Sequence, residues 1–525
     1  MKRELFTKIA AFFCSALVFL SVSALAQETD FSVESVSAPG MTALEDVLCE
    51  AEYTPKLSSY IPALAGEGAL CSESSETFHA YIADGLRNMQ EFIDVSSYGY
   101  TTDSVAALAA EYDFTLRTFP DLYYVDFPFS YTYSQTTGAV KSIKPIYLLT
   151  DKEEIDATVA QIEEKLAEIL SMTDDSMSDP EKLLVFHDQI ALRCCYDHTL
   201  TKKTTKDLLL DGTTICQGYA NTMQVLAYRS GIPGAFIVDD AETHIWNAFY
   251  LDGAWYQVDA TWDDPDGENS PRILHKYFLK SSSYMTATGH GTFSFPENDS
   301  DKYDDAFWNT VTSPMLVHAG QVYFVDGAES YGTVSVCNTY TGEISTLYRF
   351  TNVWHKDDSL RWRGTFSGLA YHNGRLYFNT EYDILSCALD GTELKTEYTF
   401  SSAADTAIHG CCGMDGKLYY IESPRAEVLG ECVPHVFEFP QSTSETFFIA
   451  DVFEKENKRY ISFINESGKP CTVTVFCKQD GRLSDIRVIR LEASSGTAET
   501  DLLSDSCEIM AFDDGLKPLM RKYSH

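Results

Sequence analysis

Three short stretches carry residue types that could do chemistry together. They are Thr214-Ile-Cys-Gln-Gly-Tyr-Ala220, His244-Ile-Trp-Asn-Ala-Phe249 and Trp255-Tyr-Gln-Val-Asp-Ala-Thr-Trp-Asp-Asp-Pro265. Attack by a cysteine requires a thiolate, a base that takes and returns its proton, and a group that fixes the base. Cys216 follows the Asp211-Gly212 turn and stands at the expected first turn of a helix. Unpaired amides and the helix dipole favour an anion there and lower a thiol pKa. Gly218 is expected to leave room for a substrate backbone beside the sulfur. His244 and Asp259 are the matching base and orienting acid.

Their mutual position follows from a hairpin. Asp252-Gly253 is a strong two-residue turn signal. With Leu251 opposite Ala254, His244 falls opposite Thr261 and Asp259 opposite Trp246. Asp259 is then a same-face diagonal neighbour of His244, within reach of a carboxylate–imidazole bond. Trp246 and Trp255 share that face. Cys216 alone would more often be a core thiol, and His244 alone a strand-end histidine. The ordered combination on one face is what points to a triad.

The elements that must position these residues are legible by period. Thr150-Asp-Lys-Glu153 is a capping box, followed by Ile155, Val159, Ile162, Leu166 and Ile169 at helical spacing. Ser178-Asp-Pro-Glu181 opens a second helix through Leu183, Leu184, Phe186 and Ile190. A third runs from about Cys216 to Arg229 and is closed by Gly231 and Pro233. Strands are expected at 235–238, 244–251 and 254–260. Helices followed by an antiparallel sheet make an α+β domain, placed at 151–285.

Three further regions flank it. Residues 40–150 form an α+β region, helical around Glu76–Glu91 and Ser104–Tyr112, then strand-like from Leu122, with a turn at Thr137-Gly138. In 310–435 the motifs Gly320-Gln-Val-Tyr-Phe, Gly374-Arg-Leu-Tyr-Phe and Gly416-Lys-Leu-Tyr-Tyr repeat a turn glycine before an alternating strand. This reads as an all-β, propeller-like repeat region, with fewer units than closed propellers use. Residues 444–525 alternate as a small C-terminal β-sandwich. Its ending, Met510-Ala-Phe-Asp-Asp-Gly-Leu-Lys-Pro-Leu519, resembles modules that end many secreted proteins of Gram-positive gut bacteria.

At 525 residues the chain is too long for one core, and its apolar and charged contents are those of globular protein. Residues 1–26 read as a signal peptide: basic through Lys8, apolar from Ile9 to Leu20, and ending in Ala24-Leu25-Ala26. The formal charge of −39, about −41 without that segment, argues against a nucleic-acid partner. No later stretch suits a membrane span, so a secreted, extracellular protein without a transmembrane anchor is expected. Removing Cys14 leaves an odd number of cysteines and hence at least one free thiol.

These motifs resemble the transglutaminase-like superfamily, especially its bacterial secreted branch. That family shows Cys-x-Gly-Tyr/Phe-Ala at a helix start, His-x-Trp-Asn on a strand, and Asp-x-Thr-Trp-Asp-Asp-Pro at the next strand's end. The resemblance extends to His187-Asp188, Tyr196-Asp197 and His275-Lys-Tyr-Phe-Leu279. It implies a papain/transglutaminase-like fold in which Cys216, His244 and Asp259 are nucleophile, base and third member. It also implies acyl transfer from an amide through a thioester. The Cys216 backbone amide and the Gln189 side chain are candidate oxyanion donors. The leading expectation is a cysteine peptidase or amidase acting on protein or peptide. A protein-glutamine transamidase is the first alternative, and an inactive adhesion scaffold the second. The C-terminal modules suggest a cell-wall or surface partner. No cofactor or metal is expected: no phosphate loop, GxSxG or HExxH occurs, and Asp263-Asp264 reads as a turn.

Overall fold

The computed structural model describes residues 47–525 apart from 58, 61–72, 266–271, 296–298, 327–331, 352, 356–360, 364–367, 400–405, 415, 425–432, 441–443, 481, 493–494, 501–505 and 525. The expected signal peptide lies outside the described residues. Among them, no helix is long and apolar enough to cross a membrane. The chain divides into two units. The first comprises the described residues up to Leu170, with Arg193–Thr261 and Tyr277–Asp304. The second comprises Ser171–Leu192, Trp262–Lys276 and Asp305–His525. Antiparallel sheets predominate and helices are few.

The first unit begins with β1 (Leu48–Tyr53), α1 (Glu73–Arg87), β2 (Ile93–Asp94), α2 (Val105–Thr118), β3 (Val125–Ser134) and β4 (Val140–Tyr147). The sheet has the order β1-β3-β4-β2. Ile82, Leu86, Leu108, Tyr112, Phe129 and Ile143 belong to one core. The β3–β4 turn places Gly138 at φ 69°, where a residue without Cβ is favoured. Helix α2 continues past Tyr112, its expected end. The polar residues beyond are paired internally: Arg117 Nε donates to Asp113 Oδ2 at 2.7 Å with both side chains buried.

Helix α3 (Lys152–Leu170) buries Ile155, Ile162, Leu166 and Ile169, the expected face. Its cap is Asp151, whose Oδ1 accepts from the Glu153 and Glu154 amides, so the first turn starts one residue later than the Thr150 box placed it. In α4 (Asp179–Arg193) half of the expected box forms: the Ser178 amide donates to Glu181 Oε2 at 2.7 Å, and Ser178 Oγ donates to the same oxygen. Then come α5 (Cys216–Arg229) and β5 (Gly234–Val238), β6 (Ile245–Leu251), β7 (Ala254–Val258) and β8 (Phe278–Lys280), which form a sheet in the order β8-β7-β6-β5.

The second unit is largely β. Three antiparallel meanders follow one another, four strands over 316–349, four over 370–399 and three over 406–437. Gly320, Gly374 and Gly416 have φ of 72°, 75° and 68° between the first two strands of each, which is the physical content of the repeat. None of these sheets closes on itself. Beyond them, strands 447–455, 458–465 and 495–499 form one sheet, and 471–479, 482–491, 506–512 and 523–524 another. Phe447, Phe463, Val473, Val475, Ile509 and Ala511 join both in a single core.

Candidate active site

The β6–β7 hairpin determines where the candidate base and acid meet. Asp252 and Gly253 both have positive φ, 51° and 85°, as a two-residue hairpin turn demands. Leu251 pairs with Ala254 and Asn247 with Val258, the register expected from the sequence. His244 stands just before β6 and Asp259 just after β7. The strands end earlier than expected because both flanking segments turn their backbone toward side-chain carboxylates. Asp239 Oδ1 accepts from the His244 amide at 2.8 Å, and Asp259 Oδ1 from the Thr261 amide at 3.0 Å.

Across this hairpin His244 Nε2 lies 2.6 Å from Asp259 Oδ2. Asp259 is 1% exposed, and the His244 side chain 14%, enough to meet a substrate. Burial disfavours charge on both groups, but their mutual attraction and hydrogen bond prevail. The imidazole, further raised by its hydrogen bond with Cys216, reaches about 10. The carboxyl is held well below the usual carboxylate range.

Cys216 is a buried free thiol and the first residue of α5. It packs among Phe114, Ala220, Phe236, Val238 and Ile245. As the first helical residue its amide has no intrahelical acceptor, which keeps it a candidate oxyanion donor. Gln189, the other candidate, lies on α4 within the second unit. Asn247 Nδ2 donates to the Ala220 carbonyl at 3.1 Å and ties β6 to α5. Gly218 has a different role from the one expected. Its missing Cβ makes room for the Thr214 side chain rather than for a substrate. Thr214 is held there by donating to the Lys202 carbonyl at 3.0 Å. Trp246 stacks on His244 at 5.5 Å between centroids.

One participant was not anticipated from the sequence. His290 Nε2 lies 2.8 Å from the same Asp259 Oδ2, and the side chain is fully buried. Its ring meets Trp246 edge-on at 5.1 Å and Tyr277 at 4.8 Å. Asp259 therefore receives two imidazoles, and only His244 is exposed. This assigns His290 a positioning role, holding the carboxylate for His244. His290→Ala is expected to slow turnover about tenfold, a loss of about 1.4 kcal/mol that matches one buried charge-assisted hydrogen bond. His290→Gln, which keeps an N–H donor, is expected to recover most of it. Comparing kcat/KM for the two variants checks this, and an Ala variant as active as wild type would remove His290 from the site.

Residues 165–260 match the family model described as the Transglutaminase-like superfamily. The chain thus carries a transglutaminase-like domain, which supports the class of cysteine-dependent transamidases and peptidases. A solved structure described as a TGase is 16% identical over 24% of this chain and 42% of its own, with a TM-score of 0.19. The chain thus spans less than half of that structure. An exo-β-1,3-galactanase from Phanerochaete chrysosporium is 7% identical over 55% of this chain and 79% of its own, with a TM-score of 0.18. A nidogen/laminin complex is 12% identical over 38% and 88%, with a TM-score of 0.12. Similarities this low carry no argument about activity. No curated protein matches the chain significantly.

Proposed function

We propose that the protein is a secreted cysteine-dependent amide hydrolase acting on protein or peptide, with Cys216 as nucleophile, His244 as base and acid, and Asp259 as the group that orients it. The observation that carries this reading is the 2.6 Å His244–Asp259 bond beside a thiol at a helix start. With Nε2 engaged by Asp259, Nδ1 is left to take the thiol proton. The thiolate attacks the amide carbonyl, and the imidazolium protonates the leaving amine as the C–N bond breaks. Water, deprotonated by the same imidazole, then cleaves the thioester and releases the acid. We assign this chemistry to a domain over 151–285, of which Ser171–Leu192 and Trp262–Lys276 pack with the second unit. The 40–150, 310–435 and 444–525 regions are its accessory modules. The last two are read as a propeller-like repeat and a β-sandwich that bind a cell-wall or surface component.

Hydrolysis is favoured over transfer to an amine by the placement of the aromatics. Transfer needs a channel that admits an amine while excluding water. Trp246 and Trp255, the tryptophans of the hairpin, are 1% and 4% exposed and belong to one core with Ile237 and Tyr277. They are thereby used as packing rather than as channel wall. The acidic surface would attract cationic amines, but that field is screened beyond about 8 Å at physiological salt. Incubating the protein with a glutamine-containing peptide and excess labelled primary amine is expected to yield more hydrolysed product than adduct. An excess of labelled adduct in the mass spectrum would replace this reading with the transamidase one.

A further inference from the structure

The second unit contains a fully buried cluster that the proposed reaction does not use. Helix α4 contributes the adjacent His187 and Asp188, and the Trp262–Lys276 segment contributes Asp263 and His275. All four side chains are at most 1% exposed. The ligand atoms of His187, Asp188 and His275 lie within 4.8 Å of one another.

His275 Nδ1 is 3.0 Å from the Val311 carbonyl, which can only accept, so this nitrogen carries a hydrogen. Its Nε2 faces Asp188 Oδ1 at 2.9 Å and, in a neutral ring, presents a lone pair there. His187 Nδ1 is 2.8 Å from the same Asp188 Oδ1, while its Nε2 lies 3.3 Å from Asp263 Oδ2 without making a hydrogen bond. Two imidazole nitrogens thus converge on one buried carboxylate oxygen, with the rings 5.3 Å apart and a second carboxylate behind them. A divalent cation at that convergence would accept imidazole lone pairs and balance the two carboxylates.

We propose that His187 Nδ1, His275 Nε2 and the Asp188 carboxylate bind a zinc-like divalent transition-metal ion. Two imidazoles and one carboxylate are a zinc donor set, with a remaining position for water. The surroundings match what metal-bound histidines need. The outward Nδ1 of His275 donates to the Val311 carbonyl, which fixes its tautomer and orientation, and the outward Nε2 of His187 lies 3.3 Å from Asp263 Oδ2. The Met315 amide donates to Asp188 Oδ2 at 2.6 Å and holds the third ligand. Occupancy would join α4, the 262–276 segment and the start of the β-rich region within the second unit.

The test uses the full mature chain, purified without chelator and analysed by inductively coupled plasma mass spectrometry. The expected result is close to one zinc per chain. After stripping and titration with Co²⁺, the expected spectrum has tetrahedral ligand-field bands and no thiolate charge-transfer band. Asp263→Asn should weaken Co²⁺ affinity about 10–100-fold. His275→Gln should abolish stoichiometric binding, and Cys216→Ala should leave it unchanged. If His275→Gln fails to fold, the wild-type spectrum and a thermal midpoint raised by added Zn²⁺ decide instead. Absence of bound metal together with a midpoint indifferent to Zn²⁺ would overturn the proposal and leave a proton-held cluster. A cobalt–thiolate band, or loss of binding in Cys216→Ala, would also overturn it by placing the ion at the candidate active site.

Discussion

Cys216→Ala is expected to reduce turnover to background, a loss of about 10⁶-fold if the thiol behaves like other covalent nucleophiles, while leaving the fold in place. The nucleophile's atoms have no substitute, since alanine can neither form the thioester nor pair with His244. The structural cost should be small. Cys216 packs in an apolar cluster, and losing its sulfur removes about one methylene equivalent, about 1 kcal/mol. The same site should be the first alkylated by iodoacetamide at mildly acidic pH, because it pairs with the His244 imidazole at a helix start. Two other buried thiols should be slow. Burial pushes Cys337 up to about 11 and Cys387 up to about 12, so both stay protonated and slow. Peptide mapping of a brief labelling reaction, with circular dichroism and a melt of the Ala variant, checks both halves. Uniform labelling across the cysteines, or residual turnover in Cys216→Ala, would move the nucleophile elsewhere.

How much of this was legible in the sequence depends on whether a signal was local. The Asp252-Gly253 turn pins the hairpin register, and the register brings the strand ends that carry His244 and Asp259 side by side. The buried stripe of α3 and the box at Ser178 were likewise local in period or spacing. What lay outside local pattern was missed or misjudged. His290 reaches Asp259 from 31 residues away through a loop with no period, and nothing in Thr288-Gly-His-Gly291 announces it. Gly218 reads as a substrate clearance until Thr214 is seen to fill it. Helix α2 runs past Tyr112 because Asp113 and Arg117, polar in sequence, neutralise each other inside the fold, a pairing that period alone does not show. His187, Asp188, Asp263 and His275 were visible as motif residues, but their convergence is tertiary. The three glycine-led repeats did identify hairpin starts. The way meanders are arranged depends on long-range packing that alternation does not encode.

Asp259→Asn should keep the fold yet slow the reaction by about 10²–10⁴-fold, with a change in pH profile that a structural defect would not produce. Oδ2 of Asp259 accepts from both His244 and His290, and Oδ1 accepts from the Thr261 amide. An asparagine has one acceptor oxygen for these two positions. If it faces Thr261, the amide NH₂ meets both imidazoles and forces His244 to present a lone pair at Nε2. That tautomer carries its hydrogen on Nδ1, where the thiol proton must go. If the oxygen faces the histidines, the amide opposes the Thr261 N–H and the turn loosens. The electrostatic consequence has a definite sign. Despite burial, Asp259 and Cys216 raise His244 to about 10, so the imidazolium that protonates the leaving amine persists well into alkaline solution. The pair's contribution to stability, counted on His244, is complete below the usual value of 6.5 and is lost as pH rises through about 10. Removing the carboxylate charge lowers the folded-state value. The alkaline limb of kcat/KM, near pH 10 in the wild type, should therefore move down by more than about one pH unit in Asp259→Asn. Measuring kcat/KM from pH 5 to 11 for both proteins is the check. Activity within about threefold of wild type, or an alkaline limb that does not move, would mean that a group other than Asp259 orients His244.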